Sequence, residues 1–221
     1  MGARNAFSKL SVVLLVGVLT ACASKVADKS QYSGFLNGYN DLQSVQTASG
    51  GQTLRWISPD FHESRYKNIY LAPVVFYPRA TPDSRVSAAT LEQIRLYTEQ
   101  RLKAALSQRM SLANQPQRDG LMVKTAITAV SAANKDMQFY EVLPVTAVIA
   151  GAMAATGQRS QNAVLYLEIE VIDVATNKPV IKVVRKGAGK RVANSSAPIT
   201  TADVKGAIDD MVKDVASFPR Q

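Results

Sequence analysis

Leu165, Leu167, Ile169 and Val171 alternate with Tyr166, Glu168 and Glu170, the clearest two-residue period in the chain. That alternation predicts a strand with one apolar and one polar face. "ATNK" supplies a turn and "PVIKVVRK" a returning strand, so a β-hairpin is expected. Its polar face, carrying Glu168 and Glu170, reads as solvated. Leu121, Val123, Thr125 and Ile127 repeat the period and predict another half-buried strand. "NIYLAPVVFY", Asn68 to Tyr77, is rich in β-branched and aromatic residues. Pro73 inside it demands an edge position, a bulge or two shorter strands, because proline has no N–H for a sheet ladder.

A helical period occupies the interval between. Leu91, Ile94, Thr98, Leu102, Ala105, Leu106 and Met110 recur at steps of three and four, predicting a helix over about 87–112. Thr90 with Gln93 is a candidate capping box. Val204, Ile208, Met211, Val212 and Val215 mark a second amphipathic helix near the end, with Thr201 as its N-cap. "SGFLNGYNDL" holds only Phe35, Leu36, Tyr39 and Leu42 as apolar anchors, so it reads as a segment docking on the main body. "QSVQTASGGQT" reads as a loop. Strand, helix, strand, apolar segment, hairpin, helix is the order of an α/β (α+β) domain. A small, mainly antiparallel or mixed sheet is expected, with helices packed on one side.

The start of the chain follows a different logic. "MGARNAFSK" carries Arg4 and Lys9 and no acid, and Leu10 to Leu19 is continuously apolar or small. About ten apolar residues fall short of the ~20 that span a bilayer. A basic start, a short apolar stretch and small residues afterwards describe a secretory signal. Leu19-Thr20-Ala21-Cys22 resembles the lipobox of bacterial lipoprotein signals. That resemblance implies cleavage before Cys22, diacylglycerol on its thiol and acylation (palmitate, for example) of the new amine. It makes Cys22, the single cysteine, an anchor point. Ala23 in place of aspartate implies sorting to the outer membrane, with the body in the periplasm. The expected organisation is a signal peptide over 1–21, a lipidated flexible tether over 22–32 and one periplasmic domain over 33–221.

Four stretches carry a wider resemblance: "SGFL", "LRWISPD", "YKNIYLAPVVFY" and "TGQRSQNAVLYLEIEVIDVATNKPV". Together they resemble a family of bacterial lipoproteins carrying a domain of unknown function. The resemblance implies an α/β periplasmic domain and brings no catalytic residues with it.

Composition narrows the chemistry. One cysteine excludes a disulfide framework, and one histidine, His62, excludes a site needing two imidazoles. Cleavage removes Arg4 and Lys9 and lowers the net charge from +9 to +7. Lys178, Lys182, Arg185, Lys186, Lys190 and Arg191 concentrate positive charge, and no acid lies between Asp173 and Asp203. Lys182, Arg185, Lys186, Lys190 and Arg191 are therefore candidate contacts for an anionic partner, with a solvated hairpin face as the plainer alternative. Gly187, Gly189 and Lys190 do not form a phosphate loop, because Val184 and Arg191 stand where that motif needs Gly and Ser or Thr. Pro144 to Gly157 has no charge in fourteen residues. Val148, Ile149, Gly151 and Met153 are its candidate apolar contacts, either for a partner or for the sheet. "SPDFHESRY" sets Ser58, Asp60, His62 and Glu63 close in sequence, without the elbow or spatial convergence a hydrolase requires.

No cofactor or metal is implied, and the pattern points away from an enzyme. The first expectation is an outer-membrane-anchored binding or scaffold protein of the cell envelope, meeting a protein or lipid partner and not nucleic acid. The second is a carrier of a lipid or small apolar ligand, with Pro144–Gly157 lining the site, which a roomy, closed apolar cavity would favour.

Overall fold

The structure is a computed structural model and describes residues 27, 32–134, 161–193 and 196–218. Eight strands form one mixed sheet: β1 (Gln43–Gln46), β2 (Gln52–Ile57), β3 (Asn68–Leu71), β4 (Val75–Phe76), β5 (Ser111–Leu112), β6 (Gly120–Asn134), β7 (Gln161–Asp173) and β8 (Lys178–Val192). Their order is β1-β2-β8-β7-β6-β3-β5, with β4 also on β6. Strands β1, β2, β8, β7 and β6 pair antiparallel, and β3, β4 and β5 are added in parallel. Of the three readings of Pro73, the split is the one adopted: it falls in the gap between β3 and β4, both of which pair with β6.

Two helices, α1 (Ala88–Ser107) and α2 (Thr201–Ala216), cover one face. The stripe Leu91, Ile94, Thr98, Leu102, Ala105 and Leu106 is buried, as its spacing predicts. Each fully buried Leu or Ile stabilises by about 1.5–3 kcal/mol, so this stripe outweighs any single surface ion pair. The caps differ from expectation. Ser87 Oγ accepts from Thr90 N at 3.1 Å, which places the N-cap of α1 one turn earlier than a Thr90 box. Thr200 caps α2, its N–H and hydroxyl both donating to Asp203 Oδ2. Thr201 instead reaches Gln93 on α1.

Strand β6 keeps its alternation only as far as Ile127. A register shift between Ile127 and Ala129 switches parity, so that Val130 continues the helix-facing core and Ala129 turns to the other face. Leu165, Leu167 and Val171 of β7 also face the helices.

The opposite face is not solvated, which corrects the reading of the hairpin. Glu168 is 0% and Glu170 5% exposed. The segment from Tyr32 to Leu42 lies across them, and Leu36 is buried in a second cluster with Ala27, Leu54, Ala129, Val164, Tyr166 and Val184. Backbone N–H groups of Ser33 and Asn37 donate to Glu168 Oε1 and Glu170 Oε1, each at 3.0 Å. Buried carboxylates require such donors. The docking segment expected from Phe35, Leu36, Tyr39 and Leu42 is therefore a strap over a polar sheet face. The stretch read as a loop, "QSVQTASGGQT", is largely the β1–β2 hairpin, joined through Thr47 N to Gly51 O.

Candidate functional site

The helices do not seal the sheet completely. A cavity of about 220 Å³ remains between them. Its floor is Leu121 and Val123 of β6, Leu167, Ile169 and Val171 of β7, and Ile181 and Val183 of β8. Its roof is Leu102 and Leu106 of α1 with Met211, Val212 and Val215 of α2. For scale, an apolar cavity of about 150 Å³ stays dry and accepts benzene. Exposed Gln46, Ala48 and Ser217 mark where the cavity opens, between the β1–β2 turn and the end of α2.

Five ionisable side chains line this space: Arg55, Glu63, Arg109, Arg185 and Asp214. Arg109 and Glu63 form a two-point pair, Nε–Oε1 at 3.0 Å and Nη2–Oε2 at 2.6 Å. Arg109 Nη1 also donates to the carbonyls of Val215, Ala216 and Phe218, tying the end of α2 to α1. Arg185 Nη2 lies 2.9 Å from Asp214 Oδ2 and donates to Ser49 Oγ, while Nη1 donates to Gln52 O. The ion contact is not an aligned hydrogen bond: Asp214 Oδ2 has no such partner among the described residues, and neither does buried Arg185 Nε. Gly51 makes room for this group, since a Cβ there would collide with the Arg185 guanidinium.

Arg55 differs from the other two arginines. Its guanidinium lies over the Phe218 ring, 4.9 Å from the centre. Among the described residues it has neither a carboxylate partner nor a hydrogen-bond acceptor. Burial pulls its pKa down from the ordinary arginine value. Arg55 pairs with Val183, two residues before Arg185 on the same strand and the same face. The two arginines are therefore diagonal neighbours at the mouth.

The candidate cations of β8 do not share one face. Lys182 turns to the strap side, 4% exposed, and donates to the carbonyls of Asn37 and Gly38 beside the Trp56 ring. Arg185 turns to the helix side and is 8% exposed. Lys186 is half-buried, and burial lowers its pKa to about 8. Lys190 and Arg191 are exposed. Cys22 lies outside the described residues, as do Val148, Ile149, Gly151 and Met153. His62 is exposed, and no group of metal-ligating side chains occurs among the described residues. No helix among them is long and apolar enough to cross a membrane.

Sequence reasoning missed Arg55, Arg109, Asp214 and Phe218, and took up Glu63 only as part of the "SPDFHESRY" cluster. Arg109 lies just past the C-cap of α1, Gln108, where the helical period no longer applies. Arg55 shares the helix-facing side of β2 with Thr53, while Leu54 and Trp56 face the strap.

Comparison with known proteins agrees with the lipoprotein resemblance. The model of the family described as "Protein of unknown function (DUF3313)" matches residues 31–215. The Escherichia coli K12 protein described as "Uncharacterized lipoprotein YdcL" is 42% identical over 214 residues, 97% of this chain and 96% of that protein. A PelC dodecamer from Paraburkholderia phytofirmans is 13% identical, with 76% of this chain and 98% of that chain covered and a TM-score of 0.38. A minor lipoprotein from Acinetobacter baumannii is also 13% identical, covering 69% and 89% of the two chains with a TM-score of 0.38.

Proposed function

The chain belongs to the DUF3313 family of proteins of unknown function, and from that premise we propose that it is a lipid-anchored envelope carrier that holds an apolar molecule between its helices and its sheet. The cavity of about 220 Å³ carries this reading. A core of this size normally closes to few voids larger than a water molecule. Here the apolar lining of α1, α2, β6, β7 and β8 leaves ligand-sized space that opens beside an arginine-bearing mouth. The scaffold expectation drew on the apolar segment 144–157, which lies outside the described residues, or on a basic hairpin face, from which Lys182 and Arg185 are turned inward. The role is binding, without a chemical step.

The lipobox at Cys22 supports attachment through lipid, and Ala23 supports the outer membrane, with the folded body in the periplasm. With a conventional secretory signal in place of residues 1–21, replacing Cys22 by Ser is expected to release the protein into the soluble periplasmic fraction. A processed variant that still sediments with membranes would overturn the anchoring reading.

The carrier reading is tested with the neutral dye N-phenyl-1-naphthylamine on the full chain carrying Cys22→Ser. One-to-one saturable fluorescence is expected. Ile169→Phe fills the cavity from β7 and is expected to abolish the signal while the chain stays folded by circular dichroism. No saturable binding, or undiminished binding to a folded Ile169→Phe variant, would overturn the reading.

A further inference from the structure

The cavity's charge balance says more about its ligand. Its lining holds three guanidinium groups and two carboxylates, one positive charge in excess. Glu63 is taken by Arg109 and Asp214 by Arg185. The excess therefore resides at Arg55, whose described contact is the face of Phe218. A guanidinium carries five N–H donors in its plane, and contact through its face leaves them unmatched. Arg185, its diagonal neighbour, keeps its guanidinium on Asp214, Ser49 and Gln52, with Nε enclosed by protein, and adds positive charge beside Arg55. The open donors of Arg55, above an apolar cavity, fit the planar two-point geometry of a carboxylate or similar anion.

We propose that the ligand is a single-chain amphiphile with an anionic head, its head held by Arg55 beside Arg185 and its chain running inward towards Leu167 and Leu106. This rests on the carrier reading above. The occupant is a separate molecule and not the protein's own anchor. Ala27, five residues after Cys22, is buried with Leu36, Tyr166 and Val184 on the sheet face opposite the cavity.

Calorimetric titration of the full chain carrying Cys22→Ser, near neutral pH, compares decanoate, decan-1-ol and decylamine. Decanoate is expected to bind about tenfold or more tighter than decan-1-ol, the scale of hydrogen bonds to a charged group, and decylamine weakest. Arg55→Gln is expected to remove most of decanoate's advantage over decan-1-ol, and Arg55→Lys to keep part of it. Equal affinities for decanoate and decan-1-ol, or an advantage untouched by Arg55→Gln, would overturn the head-group assignment while leaving the carrier reading intact. If none of the three binds, both readings fail together.

Discussion

Tyr39 Oη donates to Glu168 Oε2 at 2.6 Å, joining the strap to the centre of the sheet. The two residues are 129 positions apart, and the carboxylate has no exposed surface. Glu168 keeps one further donor in the strap, Ser33 N. Tyr39→Phe removes this charge-assisted hydrogen bond and the oxygen that accepts from Gly34 N and Leu36 N, and keeps the ring's stacking on Tyr32. A loss of about 1.5–3 kcal/mol is expected from urea unfolding. Burial, and then the bond to Glu168, raise the Tyr39 pKa to about 12 from the ordinary tyrosine value of 10.0. The folded state therefore holds this proton where the unfolded chain releases it. Its contribution is full below pH 10 and declines as pH rises towards 12. Tyr39→Phe should flatten that part of the stability profile.

Lys182 closes the same strap from the neighbouring strand. Its ammonium donates to Asn37 O and Gly38 O at 3.2 and 3.1 Å, with Asp41 Oδ2 at 3.5 Å. Gly38 adopts a φ of 81°, a left-handed turn that presents its carbonyl to this group. Lys182→Met keeps the stem packed against Trp56 and deletes the donors. Stability should fall by about 1–3 kcal/mol. Hydrogen exchange at Asn37 to Asp41 should speed up more than exchange in α1. Uniform acceleration across the chain would show that Lys182 acts on the whole fold and not on the strap.

What the sequence made legible follows from the range of its signals. Alternation across Leu165 to Val171 and the stripe from Leu91 to Leu106 report local geometry, and both identify their elements correctly. A two-residue period shows that the faces of β7 differ. It cannot show that Glu168 and Glu170 are covered, because their cover arrives from residues 33–39. The hairpin at Gln43 to Ile57 was hidden by its composition, since strand β1 is polar and lies at the sheet edge. The cavity was illegible for a stronger reason. Its ionisable lining comes from five separated positions, Arg55, Glu63, Arg109, Arg185 and Asp214, that only the fold brings together.

Arg109 and Glu63 should respond unequally to removal. Their side chains are 9% and 15% exposed, so breaking the pair strands a charge away from water. Arg109→Met leaves Glu63 without its cation and frees three carbonyls at the end of α2. A cost of about 3–5 kcal/mol is expected. Glu63→Gln leaves those carbonyls satisfied and should cost less. Thermal unfolding of both variants checks the order. Equal losses would show that the carbonyl contacts contribute nothing beyond the ion pair.

Glycines give the last prediction, because the structure assigns opposite signs to two of them. Gly189 on β8 lies against α2: an added Cβ would collide with Asp203 O and stand 3.2 Å from Ala163 Cβ. A backbone oxygen cannot swing aside as a side chain can, so α2 would have to lift. Gly189→Ala should cost about 1–3 kcal/mol through overpacking. The spacing of Gly187, Gly189 and Lys190 is thus explained by helix approach, since Gly187 would similarly meet Met211 and Ala207. Gly206 sits inside α2 with nothing within 4 Å of an added Cβ. Gly206→Ala lowers the unfolded chain's freedom without a clash and should stabilise by about 0.5–1 kcal/mol. Urea midpoints moving apart in these two directions would support the packing of α2 on β8. A neutral Gly189→Ala would mean the helix rides higher above the strand than the approach of Asp203 O to Gly189 implies.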